Sequence, residues 1–244
     1  MREEPFFTHV RLRRDELNPK SFPLSVPAVA MIDQIRFHPA VTVFAGENGS
    51  GKSTLIEAIA IAAGFNAEGG RKSFRTEADT TDNQLAEAIT LARNPGREQD
   101  GFFLRGESAY VMMNYINRTE RGFTPAYGGN LHHRSHGESF MQIFYSRFGE
   151  AKNALYILDE IESALSPQRQ LEFLILMHEH IERGSSFIIS THSPILMSYP
   201  KSRLYWLGRH GVEERDYRDT EHFRVYKGFI SRPDIVHQML GEKA

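Results

Sequence analysis

The sequence predicts an α/β protein: a mainly parallel sheet flanked by helices, with an antiparallel β portion contributed by the N-terminus. Three observations carry this. First, the apolar run Val41–Ala45 enters a glycine-rich turn, Gly46–Ser53, and leaves it into Thr54–Ala63, a helix former closed by Gly64. Second, Leu155–Leu158 and Phe187–Ile189 are continuous apolar runs, the mark of strands buried on both faces. Third, alternation from Thr8 to Arg13 marks a half-buried strand.

The chain has 244 residues, 40% of them hydrophobic, enough for a sizeable core in one domain spanning residues 1–244. A net charge of −2 gives no bulk indication of a nucleic-acid or other polyanionic partner. Cysteine is absent, which excludes disulfides, a thiol nucleophile and a thiolate metal site. Met1-Arg2-Glu3-Glu4-Pro5 does not read as a signal peptide, and no apolar run is long enough to span a bilayer. A cytoplasmic protein is the expectation.

Taken in order, residues 6–13 predict a strand, and residues 22–32 a second one at a sheet edge, since Pro23 and Pro27 lack ladder donors. Arg11, Arg13 and Arg14 form a basic cluster: a solvated face, a nucleotide contact or a polyanion patch. A helical and loop subdomain is expected over approximately 66–150. It holds a loop to Asp82, helices over 83–93 and 109–117, the short strand Phe102–Leu104, a loop over 122–133 and a helix bearing Phe140, Ile143, Phe144 and Phe148. Ser166 and Pro167 start a helix that runs to Gly184. Leu204–Leu207 is apolar, residues to Arg224 are polar, and residues 234–240 end the chain as a short helix. No chemistry is assigned to this last part.

Gly46-Glu47-Asn48-Gly49-Ser50-Gly51-Lys52-Ser53 is G-x-x-x-x-G-K-S in the strand–turn–helix context that the phosphate-binding P-loop needs. Glycines let successive N–H groups point into one concavity at a helix N-terminus, where an anion is favoured. Lys52 is expected to reach the β- and γ-phosphates of a nucleotide and the Ser53 hydroxyl to hold Mg²⁺, with Thr54 completing the nucleotide site. Asp159 ends an apolar strand, where an acid orients Mg²⁺, and Glu160 beside it can polarise water. His192 ends another strand at the edge a nucleotide would face, as a phosphate sensor or a structural histidine. Ser135-His136-Gly137-Glu138 is either a helix-capping box or a second anion-binding helix start. His132, His133, His136, His178 and His180 fit no metal pattern and read as solvated.

The order and spacing of Lys52, Gly137, Asp159 and His192 resemble an ABC-type ATPase head, of the kind also found in SMC-like proteins. The likeness covers most of the chain and is nearest to compact, stand-alone bacterial ATPases. By resemblance, Gly46–Ser53 is Walker A, Leu155–Asp159 is Walker B with Glu160 as catalytic carboxylate, and His192 is the switch histidine. Ser135, Gly137 and Glu138 resemble the signature, with His136 in place of a glycine, and Ser163–Ser166 the D-loop. The resemblance implies a P-loop fold and Mg²⁺-dependent hydrolysis of ATP in a head-to-tail homodimer. It also implies a protein partner or effector, in a regulatory, defence or DNA-maintenance setting; the alternatives are an ABC-transporter subunit or a dimerisation switch with little turnover. Two departures stand out. Glu107 is the candidate for the family's Q-loop glutamine, and Phe22, Phe37 and His38 compete as the adenine-stacking residue.

Overall fold

The computed structural model describes residues 2–18, 22–71, 83–107, 141, 144–145, 152–232 and 234–241. Its strands are β1 (Phe7–Leu12), β2 (Gln34–Arg36), β3 (Val41–Gly46), β4 (Gly70–Arg71), β5 (Ile89–Arg93), β6 (Asp100–Arg105), β7 (Ala154–Asp159), β8 (Ser186–Ser190), β9 (Ser202–Gly208) and β10 (Gly211–Glu214). The helices are α1 (Pro27–Ala30), α2 (Lys52–Ala62), α3 (Gln84–Ala88), α4 (Pro167–Glu182), α5 (Pro194–Met197), α6 (Glu221–Ser231) and α7 (Ile235–Met239).

A seven-stranded sheet runs in the order β10-β9-β3-β8-β7-β6-β4. Its five central strands are parallel, and β10 and β4 close the edges antiparallel. The register Gly46↔Leu207, Phe44↔Ser190, Asp159↔Ser190 and Arg105↔Asp159 ends all five parallel strands on one edge. A separate antiparallel sheet, β2-β1-β5, contains the predicted N-terminal strand β1, joined by the unpredicted β2 and by β5 from residues 89–93.

The main sheet is apolar on both faces because alternate residues of each strand feed different cores. Tyr156 and Leu158 pack toward α4, with Phe173, Met177 and Ile181. Leu155 and Ile157 pack toward α2, with Leu55, Ile56 and Ile59, and the antiparallel sheet adds Val10 and Ile35 to that side. The Tyr205 hydroxyl ties the two sheets together: it donates to the Arg36 carbonyl at 2.9 Å and accepts from the Arg36 N–H at 3.2 Å.

Several expectations are corrected. Residues 22–32 form turns and α1 rather than a strand, because Pro27 sits at the first helical position, where its missing donor costs nothing. The helix over 83–93 stops at Ala88. Asn83 caps it, and Ile89–Arg93 then pairs with β1, where alternating and β-branched residues suit a ladder. The loop expected up to Asp82 contains β4 at Gly70–Arg71. The region 66–150 thus contributes strands as well as a helix. Residues 72–82, 108–140 and 146–151 lie outside the described residues, and so do the helix over 109–117, the loop over 122–133, and Phe140, Ile143 and Phe148. Phe144 is described and buried, 4.9 Å from the Phe173 ring. The polar stretch before Arg224 contains β10 and the start of α6. Arg13 and Arg14 donate to the carbonyls of Glu87 and Ile32, which gives two of the three clustered arginines a structural role. Among the described residues, no helix is long and apolar enough to cross a membrane.

His180 is buried, not solvated, at 1% exposure, with its ring 5.8 Å from that of Tyr156. Burial pushes its pKa down to about 4, with Arg183 acting in the same direction. The unfolded chain therefore binds a proton near pH 6.5 that the folded chain refuses until about pH 4. This contribution is fully present above pH 6.5 and is lost as pH falls toward 4. Chemical denaturation across that window should give a stability that declines with acidification, and His180→Phe should flatten the slope. Gly106 supplies a second test. A Cβ there would lie 2.2 Å from the Glu160 carbonyl oxygen and from Ser163 Oγ. Gly106→Ala should lower unfolding stability by roughly 1–3 kcal/mol in urea titration, the cost typical of overpacking.

Candidate functional site

The P-loop leaves β3 at Gly46 and becomes α2 at Lys52. Gly46 has no room for a side chain, since a Cβ would sit 2.4 Å from the Leu207 carbonyl oxygen. Gly51 is in the left-handed region, and a Cβ on it would press on Val29 and Val26 at 2.8 and 2.9 Å. Only glycine combines that backbone with so close an approach. Glu47, Asn48 and Gly49 form the outer turn, closed by a 3.2 Å bond from the Ser50 N–H to the Glu47 carbonyl. Ser50 Oγ is buried without a hydrogen-bond partner among the described residues.

Lys52 is 3% exposed. Its Nζ donates to the Glu47 carbonyl at 2.9 Å and lies 3.7 Å from Glu160 Oε1. Burial lowers its pKa, while Glu160 and Asp159 oppose the shift. Asp159, at the end of β7, accepts from the Ser190 hydroxyl, and the Ser53 hydroxyl also bonds its carboxylate. Burial raises the Asp159 pKa; the Ser190 bond and Arg105 counter it. Arg105, which ends β6, has its Nε 3.9 Å from Asp159 Oδ2 and pairs with Glu57.

Glu160 stands in left-handed backbone, φ 49° and ψ 46°. Its N–H is held by the Ser190 carbonyl at 3.1 Å and Ser190 Oγ at 3.2 Å. The side chain turns toward Lys52 and toward His192, whose Nε2 is 3.1 Å from Oε1. The His192 N–H donates to Glu162 Oε1 at 2.5 Å, and its Nδ1 faces His222 Nε2 at 3.1 Å. The His192 pKa is lowered by burial and by the nearby Lys52 ammonium.

A cavity of about 310 Å³ beside this cluster is lined by Phe22, Ser53, Arg105, Glu107, Asp159 and Glu160. Of the three aromatic candidates, Phe22 is 63% exposed at this cavity. Phe37 is buried against Phe7, and His38 accepts from the Ala40 N–H ahead of β3. Both precede the start of β3, at the strand edge opposite the P-loop. Glu107 lines the same cavity as Ser53 and Asp159.

Gly46–Thr54, Asp159, Glu160 and His192 are thus gathered on one edge. Ser135, His136, Gly137 and Glu138 lie outside the described residues. Sequence reasoning passed over Ser190 and Arg105, which hold Asp159, and it missed His222. Arg105 directly precedes Gly106 at a strand end, a signal that was readable. His222 had none, because it approaches the site from a distant polar stretch.

Residues 32–203 match the family model of the AAA domain. No match was found among curated proteins. Among solved structures, the chain is similar to cbiO1 from Clostridium perfringens, part of the ABC transporter complex cbiONQ. Identity is 17%, the match covers 96% of this chain and 98% of that one, and the TM-score is 0.50. It is also similar to the SMC head domain from Thermotoga maritima, at 14% identity, 86% and 98% coverage and a TM-score of 0.49. These structural likenesses concern the fold. The family match runs from ahead of β2 into β9 and takes in the P-loop and both strands that end at Asp159 and Ser190, so the protein belongs to the AAA domain family and is an ATP-hydrolysing P-loop ATPase.

Proposed function

We propose that the protein hydrolyses ATP with Mg²⁺ in a head-to-tail homodimer and uses the cycle to gate or drive a protein partner. The observation that supports this best is the convergence of Lys52, Asp159, Glu160 and His192 beside the P-loop. The residues fit the nucleotide. Gly46 and Gly51 let the loop curl tightly against Leu207 and Val29, and the Ser50 hydroxyl in that loop is buried with no partner among the described residues. The Ser53 hydroxyl and Asp159 carboxylate are hard oxygen donors suited to Mg²⁺, which typically takes only one or two protein ligands and completes its shell with phosphate and water.

When bound, Mg²⁺ neutralises charge developing on the phosphate oxygens. The protein's own groups do the rest. The P-loop amides and Lys52 hold the phosphate chain, and Lys52 exchanges the Glu47 carbonyl for phosphate oxygens. Glu160 orients the attacking water and takes its proton as the bond to the γ-phosphorus forms and the bridging bond breaks. His192 Nε2–H donates to the γ-phosphate, which makes it the group that distinguishes ATP from ADP. Ser135, Gly137 and Glu138 would meet the nucleotide of the other subunit, giving two composite sites related by a two-fold axis.

A second reading, an ATP-binding subunit of an ABC transporter, is supported by the fold shared with cbiO1, which is part of such a complex. Co-purification with a membrane protein would favour the transporter reading, and with a non-membrane effector the first. A dimerisation switch would instead assemble with ATP but release little phosphate.

Lys52→Ala should weaken binding of a nucleotide analogue about ten- to a hundred-fold, because charge-assisted contacts of this kind contribute about 1.5–3 kcal/mol. Equal affinity in a fluorescence titration would remove the P-loop from the mechanism. Glu160→Gln should keep ATP binding while turnover falls about 10²–10⁴-fold, the usual loss without general-base help. Light scattering should then detect a dimer that accumulates with ATP. Undiminished phosphate release would return Glu160 to a polar turn, and a monomer at saturating ATP would count against the shared site.

A further inference from the structure

His222 stands on α6, outside the span 32–203 that matches the family model. Its Nε2 lies 3.1 Å from His192 Nδ1, and His192 Nε2 lies 3.1 Å from Glu160 Oε1. The direction of both bonds follows by elimination. An ionised carboxylate only accepts, so the proton facing Glu160 belongs to His192 Nε2. A neutral His192 then carries a bare lone pair on Nδ1, and the proton between the rings belongs to His222 Nε2.

The surroundings of His222 suit that assignment. Its Nδ1 is buried without a hydrogen-bond partner among the described residues, which costs less for a bare nitrogen than for an N–H. Thr220 caps α6, so His222 sits in the first turn, where the helix dipole disfavours an imidazolium. Burial and the Lys52 ammonium lower its pKa in the same sense. The ring packs edge-on to Trp206 at 5.4 Å, which fixes its plane.

We infer that His222 is a positioning residue for hydrolysis: its Nε2–H donates to His192 Nδ1 and holds His192 in the Nε2–H tautomer that faces the γ-phosphate position. The inference rests on the proposed role of His192. The test uses the full chain and three variants. His222→Leu keeps bulk but removes the donor. His222→Gln keeps an N–H at comparable reach. His192→Ala removes the group that His222 acts upon.

His222→Leu should lower kcat about three- to ten-fold, the scale of one oriented hydrogen bond. The KM for ATP and the affinity for a nucleotide analogue should stay near wild type, and His222→Gln should restore most of kcat. Nitrogen-15 NMR of the imidazoles should find His192 as the Nε2–H tautomer in wild type and His222→Gln, and as a mixture in His222→Leu. Wild-type kcat in His222→Leu, or an unchanged His192 tautomer there, overturns the inference. Should the leucine variant not fold, a mixed His192 tautomer in His222→Gln overturns it, and a retained Nε2–H signal supports it. Full activity in His192→Ala overturns the reading of His192 itself. An impaired His192→Ala beside an unimpaired His222→Leu overturns only the role of His222.

Discussion

A buried ammonium is the constraint on which the rest of this structure depends. Lys52 lies almost wholly out of water, held by the Glu47 carbonyl and facing Glu160. A cation in such a place is costly unless opposite charge and hydrogen bonds surround it. Asp159 and Glu160 supply the charge, and both come from the end of β7, two strands away from β3. That arrangement requires β3 and β7 to be parallel, with β8 between them in a register that ends all three together. The same edge then satisfies Asp159 from either side, with Ser190 on one flank and Arg105 on the other.

The parts legible in sequence were those with short-range signals. Val41–Ser53 announces strand, turn and helix start because glycine spacing, lysine and flanking apolar residues lie within one window. Leu155–Asp159 and Phe187–Ser190 were readable because strands buried on both faces show no alternation. The errors came where local pattern was ambiguous. Residues 83–93 hold apolar residues at helical spacing, yet Ile89–Arg93 completes a ladder with β1, a partner far away in sequence. His180 looked like a surface histidine on a polar helix. Its burial follows from the packing of α4 on Tyr156, a contact that no local window records.

The placement of the candidate site's residues was legible for the same reason. Lys52, Ser53, Asp159, Glu160 and His192 each end or follow a recognisable element. Ser190 and Arg105 meet Asp159 through strand register and His222 meets His192 through the packing of α6, so none of these contacts shows in a local window of sequence. His222 lies 30 residues beyond His192 and reaches it because α6 folds back to the strand edge.

The backbone at Glu160 carries a consequence for how this sequence can drift. A non-glycine residue in the left-handed region is less stable there than glycine by about 1–2 kcal/mol. Replacement by glycine or asparagine would relax the backbone there but would also remove the carboxylate that faces the buried Lys52 ammonium. Backbone relief and charge balance therefore pull in opposite directions at this one residue.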